Sequence, residues 1–135
     1  MAARQAPLRD KSPPPETTLV VRGGTFDHAA LLAQVEDAAI VFRVGDRPLR
    51  GFSVKGVTSA WPLPRILREG RVRHRATYAT CTVAELTAID CELLATFGED
   101  PPHFIVMLPA NTAEVRQAIL LLLQPRIQPN RTKTT

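Results

Sequence analysis

Residues 92–108, ELLATFGEDPPHFIVML, contain two short apolar segments on either side of a cluster of turn-forming residues. The first segment runs from Glu92 to Phe97 and the second from His103 to Leu108. The connection, Gly-Glu-Asp-Pro-Pro, is rich in residues that reverse the chain. The stretch therefore predicts a pair of antiparallel strands.

The remaining elements are placed outward from this pair. Strands are predicted at Thr17 to Arg22, Ala39 to Val44, around Leu49 to Lys55 and at 71–76, with the second and third forming a hairpin. Helices are predicted over 26–37, 64–69 and 83–90, and from Asn111 to the residue before Pro125. The order β-α-β-β-α-β-α-β-β-α does not alternate strictly, which argues against an all-parallel sheet. We expect one α+β domain with a mixed or mainly antiparallel sheet of five to six strands and three to four helices.

Local signals mark where the helices begin. Thr25 or Asp27 can cap the first helix. Residues 82–85, Thr-Val-Ala-Glu, have the capping-box pattern, in which the threonine and the glutamate satisfy backbone N–H groups reciprocally.

Length and composition indicate one domain with a real core, since the chain has 135 residues, 44% of them hydrophobic. We expect a disordered leader over 1–16, a globular domain over 17–124 and a flexible basic tail over 125–135. No apolar run is long enough to cross a bilayer, and the leader lacks the apolar core of a secretory signal. The predicted location is the cytoplasm, with no membrane association.

Cysteine usage agrees with that location. Cys81 and Cys91 are the only two cysteines, and they are predicted to be buried, reduced thiols. No CxxC or clustered His/Cys pattern indicates a metal site, and no phosphate-loop, nucleophile-elbow, zinc-protease or dinucleotide motif is present. The sequence therefore predicts neither a metal nor a cofactor.

Charge is distributed unevenly along the chain. Residues 43–75 carry nine basic and two acidic side chains, whereas residues 76–124 carry one basic and six acidic. This segregation of charge indicates which partners the protein could bind and says little about its fold. It fits an acidic ligand, an acidic protein surface or self-association of the basic middle with the acidic later segment. The chain has fourteen arginines and three lysines, a bias that is also typical of proteins from GC-rich bacterial genomes.

The strongest candidate for binding is the arginine-rich segment between residues 64 and 78. If Gly70 ends a short helix and a strand follows, alternate residues of that strand point to one face, about 6.6 Å apart. That spacing suits a polyanion, and arginine forms two-pronged hydrogen bonds with phosphate. The predicted binding residues are Arg65, Arg68, Arg71, Arg73 and Arg75. The alternative is a solvated sheet face on which arginines discourage aggregation.

Four further residues are candidates for catalysis. His74 and His103 could act as acid and base on RNA, with arginines stabilising the charged transition state. Arg22, before Gly23-Gly24, could hold a phosphate that the glycines allow to approach closely. Ser53 lies in the strand-like GFSVK. The enzyme interpretation requires these side chains to meet in one pocket; otherwise each is a structural or surface residue.

Two resemblances accompany these residues. An arginine that ends an early strand, a strand serine and a later acidic residue resemble the loose layout of mono-ADP-ribosyltransferases, for which Arg22, Ser53 and Glu99 are the matching positions. That family's paired acidic signature is absent. The segments VVRGG, GFSVKGV and ELLATFGEDPPHFIVMLP, within residues 19–109, resemble an uncharacterised group of small proteins from GC-rich bacterial genomes, which implies no activity.

The sequence thus favours a small cytosolic interaction module that binds nucleic acid or an acidic protein through residues 65–75. A bacterial toxin–antitoxin or phage-defence setting would suit such a domain. The alternatives are a small enzyme acting on RNA or a nucleotide, ribonuclease-like or ADP-ribosyltransferase-like, and a self-assembling structural protein.

Overall fold

The structure, a computed structural model, describes residues 3–6, 8–10, 19–24, 26–96 and 102–131. Its strands are β1 (Arg4–Gln5), β2 (Leu8–Asp10), β3 (Leu19–Gly23), β4 (Phe42–Val44), β5 (Arg47–Pro48), β6 (Gly51–Gly56), β7 (Thr77–Thr82), β8 (Glu92–Thr96), β9 (His103–Met107) and β10 (Gln128–Pro129). Its helices are α1 (His28–Val41), α2 (Leu63–Glu69), α3 (Val83–Ala88) and α4 (Ala113–Leu123), with 3-10 turns at Arg71–His74 and Gln124–Arg126. None of the described helices has both the length and the apolar character needed to cross a bilayer.

The described strands form two sheets. The larger is antiparallel throughout, in the order β10-β7-β3-β6-β9-β8-β2, and the smaller is mixed, in the order β1-β4-β5. The predicted α+β domain is confirmed. The predicted antiparallel pair is confirmed as well, because β8 and β9 lie side by side with Leu93 opposite Val106.

Three helices cover one face of the larger sheet. Helices α1, α3 and α4 bury residues such as Leu31, Leu86 and Ile119 against the inward-facing side chains of the central strands, which include Phe52 and Phe104. Burial of this apolar area drives the fold. Asp27 caps α1 by accepting from the Ala30 N–H, and the predicted capping box of α3 is present.

The opposite face is covered only at its two ends. At one end α2 and the first 3-10 turn pack Ile66, Leu67 and Val72 against Val21 of β3. At the other end the smaller sheet covers a cluster of Leu49, which precedes β6, with Leu94 of β8 and Met107 of β9. A strip of β6 and β9 remains between these two covers, and it forms the floor of the site described below.

The predicted strand over Ala39 to Val44 is wrong in its first half. Helix α1 continues to Val41 and ends where the Phe42 N–H still donates to the Ala38 carbonyl. Ile40 is 70% exposed, so it gains nothing from a strand conformation, whereas Phe42 and Val44 pack into the cluster under the smaller sheet. The predicted hairpin is also wrong, because β4 turns at Gly45 (φ +64°) and pairs with β5, while β6 pairs with β3 and β9.

The predicted strand over residues 71–76 is wrong. After Gly70, residues Arg71–His74 form a 3-10 turn, and strand β7 begins only at Thr77. The turn buries Val72 beside Ile66, whereas Ala76 is exposed. The alternation of the sequence is therefore not that of a sheet face, and its arginines do not form a row along one strand.

The structure differs from the predicted domain limits at both ends. Residues 4–5 and 8–10, within the predicted leader, form edge strands against β4 and β8. In the predicted tail, β10 pairs with β7, and Asn130 is buried. The short strands at both ends pair with the outer edges of β4, β7 and β8. This pairing satisfies the N–H and C=O groups along those edges. Residues 1–2, 7, 11–16 and 132–135 of these two segments lie outside the described residues.

An ion pair holds the C-terminal segment to α3. The Arg126 guanidinium donates to both carboxylate oxygens of Glu85, at 2.7 Å for the Nη1–Oε1 contact. The hydrogen bond from Arg126 is the main reason that the pKa of Glu85 is lowered to about 2. The cysteines are free and buried as predicted, and burial is the main reason that the pKa rises to about 12 for Cys81 and about 11 for Cys91.

Candidate anion-binding site

The site lies where strands β3 and β6 separate. The two strands pair only at Val20–Gly56 and Val21–Lys55, after which β3 diverges from β6 while it continues to pair with β7 as far as Gly23. Gly24 has a φ of +91°, which favours glycine, and its N–H donates to the Thr77 carbonyl at 2.8 Å. The divergence leaves an opening in the sheet and exposes the edge of β6 toward the N-terminal half of that strand.

Arg22 occupies this opening. Its Nη1 donates to the Ser53 carbonyl at 2.9 Å, and its Nη2 donates to the Gln34 side-chain oxygen of α1 at 2.5 Å. Its guanidinium carbon lies 5.6 Å from the centre of the Phe26 ring. The Nε atom is buried and has no hydrogen-bond partner among the described residues. Arg22 is thus held rigidly from one side.

A second arginine lies near the first. Burial, and after it the positive charge of Arg75, lowers the pKa of Arg22. Among the described residues, no carboxylate forms an ion pair with either guanidinium. Gly23 lets the side chains of Arg75 and Val72 approach β3, because a Cβ atom at residue 23 would lie 3.0 Å from Arg75 Cγ and 3.1 Å from Val72 Cγ1. Two like charges placed together without a carboxylate favour an anion between them.

The floor of the site is formed by side chains that share one face of the sheet. Phe52 and Val54 point into the main core, so Ser53 and Lys55 point to the opposite face. His103 lies opposite Lys55 on the neighbouring strand β9 and faces the same way. The ring of His103 is positioned by a hydrogen bond of 2.7 Å between its Nδ1 and the hydroxyl of Thr96.

These residues line a pocket with a volume of about 210 Å³. We call it the basic pocket; its polar lining is Arg22, Ser53, Lys55, Arg75 and His103, and its remaining lining is Val21, Gly23, Val54 and Val72. Three basic side chains therefore line one pocket together with a serine and a histidine. Arginine donates in a fork that matches the oxygens of a phosphate, and lysine adds a point charge. The pocket is chemically suited to a phosphate group.

The structure brings together three of the four candidate catalytic residues. Arg22, Ser53 and His103 all line the basic pocket, whereas His74 lies on the exposed outer side of the 3-10 turn and does not. Glu99, the acidic position of the ADP-ribosyltransferase resemblance, lies outside the described residues. The enzyme interpretation required all four side chains to meet in one pocket, and three of them do.

The five predicted binding arginines do not act as a group. Arg65 is held by its neighbours: it stacks 3.9 Å from the centre of the Trp61 ring, pairs with Glu69 at 3.2 Å and donates to the Ala60 carbonyl at 2.7 Å. Arg73 donates to the backbone carbonyls of Glu69 and Gly70, at 3.1 and 3.3 Å. Arg68 is exposed on α2. The side chain of Arg71 is outside the described part of the chain. Of the four arginines whose side chains are described, only Arg75 lines the basic pocket.

Sequence reasoning missed two contributors to the site. Lys55 follows Ser53 by two residues in a strand, and this alternation with Phe52 and Val54 could have placed both polar side chains on one face. Gln34 gives no such signal, because its role depends on how α1 crosses the opening between β3 and β6. Within the described ranges, no group of three or more His, Cys, Asp or Glu side chains is placed to hold a metal.

No match is found when the chain is compared with models of protein families, with curated proteins or with solved structures. The two resemblances noted from the sequence stay predictions. The proposed function therefore rests on the chemistry of the basic pocket.

Proposed function

We propose that the protein binds a phosphate group, of the kind carried by nucleotides and RNA, in the basic pocket. The observation that carries the proposal is that Arg22 and Arg75 line one pocket, while no carboxylate of the described residues forms an ion pair with either guanidinium. A phosphate would neutralise both guanidinium groups and accept hydrogen bonds from them and from Ser53. The two buried, reduced thiols suit a cytoplasmic protein that meets such ligands.

The proposal keeps the acidic partner predicted from the sequence and changes its contact site. The predicted surface was a row of arginines over 65–75, of which Arg65 and Arg73 are engaged locally. The pocket instead combines Arg75 with residues from three strands that are distant in sequence. A pocket of about 210 Å³ has room for one phosphate group at a time.

Arg75→Ala tests the proposal. Because Arg75 would make a charge-assisted contact worth about 1.5–3 kcal/mol, its loss should weaken the binding of inorganic phosphate about ten- to a hundredfold. Isothermal titration calorimetry at low ionic strength measures the change. Arg68→Ala is the matched control, since it removes the same charge from an exposed position outside the pocket. Equal losses in the two variants, or none in Arg75→Ala, would contradict the pocket as the binding site.

Cleavage of RNA is a second candidate, favoured by the position of His103 beside the same cationic groups. With the phosphate held by Arg22 and Arg75, His103 could take the proton of the 2′-hydroxyl as its oxygen attacks phosphorus and the bond to the 5′ oxygen breaks. Water would supply the proton that the departing oxygen needs. The guanidinium groups would stabilise the extra negative charge of the transition state.

His103→Ala separates catalysis from binding alone. General-base catalysis contributes about a hundredfold or more, so the variant should lose at least that factor in the rate of cleavage of single-stranded RNA, at an unchanged melting temperature. His74→Ala is the matched control, because His74 is an exposed histidine outside the pocket and should leave the rate intact. RNA that stays intact with the native chain would rule out the second candidate and leave phosphate binding standing.

A further inference from the structure

A second pocket adjoins the basic pocket along strand β6. It has a volume of about 300 Å³, and the two pockets share Ser53 and His103 in their linings. We call it the apolar pocket. It lies beside the N-terminal half of β6, where β3 no longer covers the strand, and helix α1 forms its opposite wall.

The walls of the apolar pocket are formed mainly by hydrophobic side chains. From α1 and the segment after it come Ala38, Val41 and Phe42, and from the strands and the turn before β6 come Leu49 and Ile105. Val41 is 46% exposed, although it is a large apolar residue at the rim. Such a surface favours an uncharged, flat group that removes it from water.

One charged residue restricts what can enter. Asp37 of α1 lines the apolar pocket, and its side chain forms no ion pair with another described residue. Its carboxylate would repel a second phosphate, so a polyanion cannot continue from the basic pocket into this one. The neighbouring Gln34 holds Arg22 and thereby joins the two pockets.

We propose that the two pockets together bind a single nucleotide, with its phosphate in the basic pocket and its base in the apolar pocket. This inference rests on the proposed phosphate binding and adds the class of ligand. Lys55 lines the basic pocket and Gly51 lines the apolar pocket, and the two residues are four steps apart along β6. Four steps of a strand span about 13 Å, a length that accommodates a phosphate, a sugar and a base in line. The basic pocket alone is smaller than the roughly 300 Å³ at which pockets for small molecules begin, and the pair together falls within that range.

The experiment compares inorganic phosphate, ribose 5-phosphate and AMP by calorimetry. All three should bind the native chain, and AMP should bind at least tenfold more tightly than ribose 5-phosphate, because only AMP places a ring in the apolar pocket. Ala38→Trp fills that pocket and should reduce the affinity for AMP to that for ribose 5-phosphate. Ala33→Trp is the matched control, since Ala33 is an exposed alanine of the same helix outside the pocket lining.

A second variant protects the test against misfolding. Val41→Glu changes a residue that is already exposed and adds a charge at the rim, so it should weaken AMP binding while the affinity for inorganic phosphate falls by less than about twofold. If ribose 5-phosphate and AMP bind the native chain equally, the nucleotide inference is overturned and phosphate binding stands. If neither inorganic phosphate nor ribose 5-phosphate binds, the proposed function itself is overturned, and the nucleotide inference falls with it.

Discussion

Arg22→Met is expected to reduce the stabilisation of the protein by phosphate by about half or more, without lowering the stability of the unliganded fold. In the native chain, phosphate at a hundred times its dissociation constant should raise the free energy of unfolding by about 2.7 kcal/mol. Without the Arg22 guanidinium the affinity should fall about ten- to a hundredfold. At the hundredfold limit, the same phosphate concentration would add only about 0.4 kcal/mol.

The unliganded fold should tolerate the change because Arg22 is held at a cost. The substitution gives up hydrogen bonds to the Ser53 carbonyl and the Gln34 side chain, each worth about 1.5–3 kcal/mol when the donor is charged. It also removes a partly buried charge that has no carboxylate partner among the described residues and lies near Arg75. Removing such a charge recovers several kcal/mol of desolvation. Methionine is also apolar and fills similar space beside Phe26.

Thermal unfolding with and without phosphate measures both effects. Arg22→Lys serves as the control, since it keeps the charge but not the fork, and its response to phosphate should lie between those of the native chain and Arg22→Met. A melting temperature that falls in Arg22→Met, with an undiminished response to phosphate, would show that Arg22 only closes the opening between β3 and β6.

The parts of the fold that the sequence could predict are those in which local patterns and packing agree. Strands β8 and β9 are short apolar segments joined by turn-forming residues, and they pair as predicted. The capping box at Thr82 likewise fixes the start of α3 from four residues alone. In both cases the information lies within one short stretch of chain.

The arginine segment shows why other parts could not be predicted. Residues 71–76 alternate in sequence, but Val72 is the one buried residue among those whose side chains are described, and a 3-10 turn buries a single side chain as well as a strand does. Which of the two forms depends on α2, whose Ile66 packs beside Val72. Alternation with only one buried position does not define a sheet face.

The candidate site was predictable as a set of residues but not as an arrangement. Arg22, Ser53 and His103 were each identified from local context, but their meeting depends on the register that places His103 opposite Lys55. It also depends on the early divergence of β3 from β6. Neither the register between distant strands nor the point at which they separate is encoded in a local pattern.

Asn130 provides a second large effect, because it links the C-terminal segment to the site. It is 5% exposed, and its side-chain amide donates to the carbonyls of Leu67 and Val72, each at 3.3 Å. These carbonyls belong to α2 and to the 3-10 turn, so one amide group holds two adjacent pieces of chain. Its own N–H donates to the Ala76 carbonyl at 2.8 Å.

Asn130→Ala should lower the free energy of unfolding by about 2–4 kcal/mol, since a buried polar group left without its partner costs about 1–3 kcal/mol. Asn130→Asp should be at least as damaging, because it places an acceptor against the carbonyls of Leu67 and Val72. Urea denaturation measures both changes. Gln128→Ala is the control from the same segment, where the side chain is exposed and its contact with the Tyr78 hydroxyl is long, at 3.4 Å.

The same substitution should also weaken phosphate binding, because Val72 and Arg75 line the basic pocket and depend on the turn that Asn130 holds. Under conditions where Asn130→Ala is still folded, the affinity for inorganic phosphate should fall several-fold, although residue 130 does not touch the pocket. Gln128→Ala should keep the native affinity. A destabilised Asn130→Ala that binds phosphate as tightly as the native chain would show that the turn positions neither Val72 nor Arg75 for the ligand, and that Arg75 adopts its place in the basic pocket independently of the C-terminal segment.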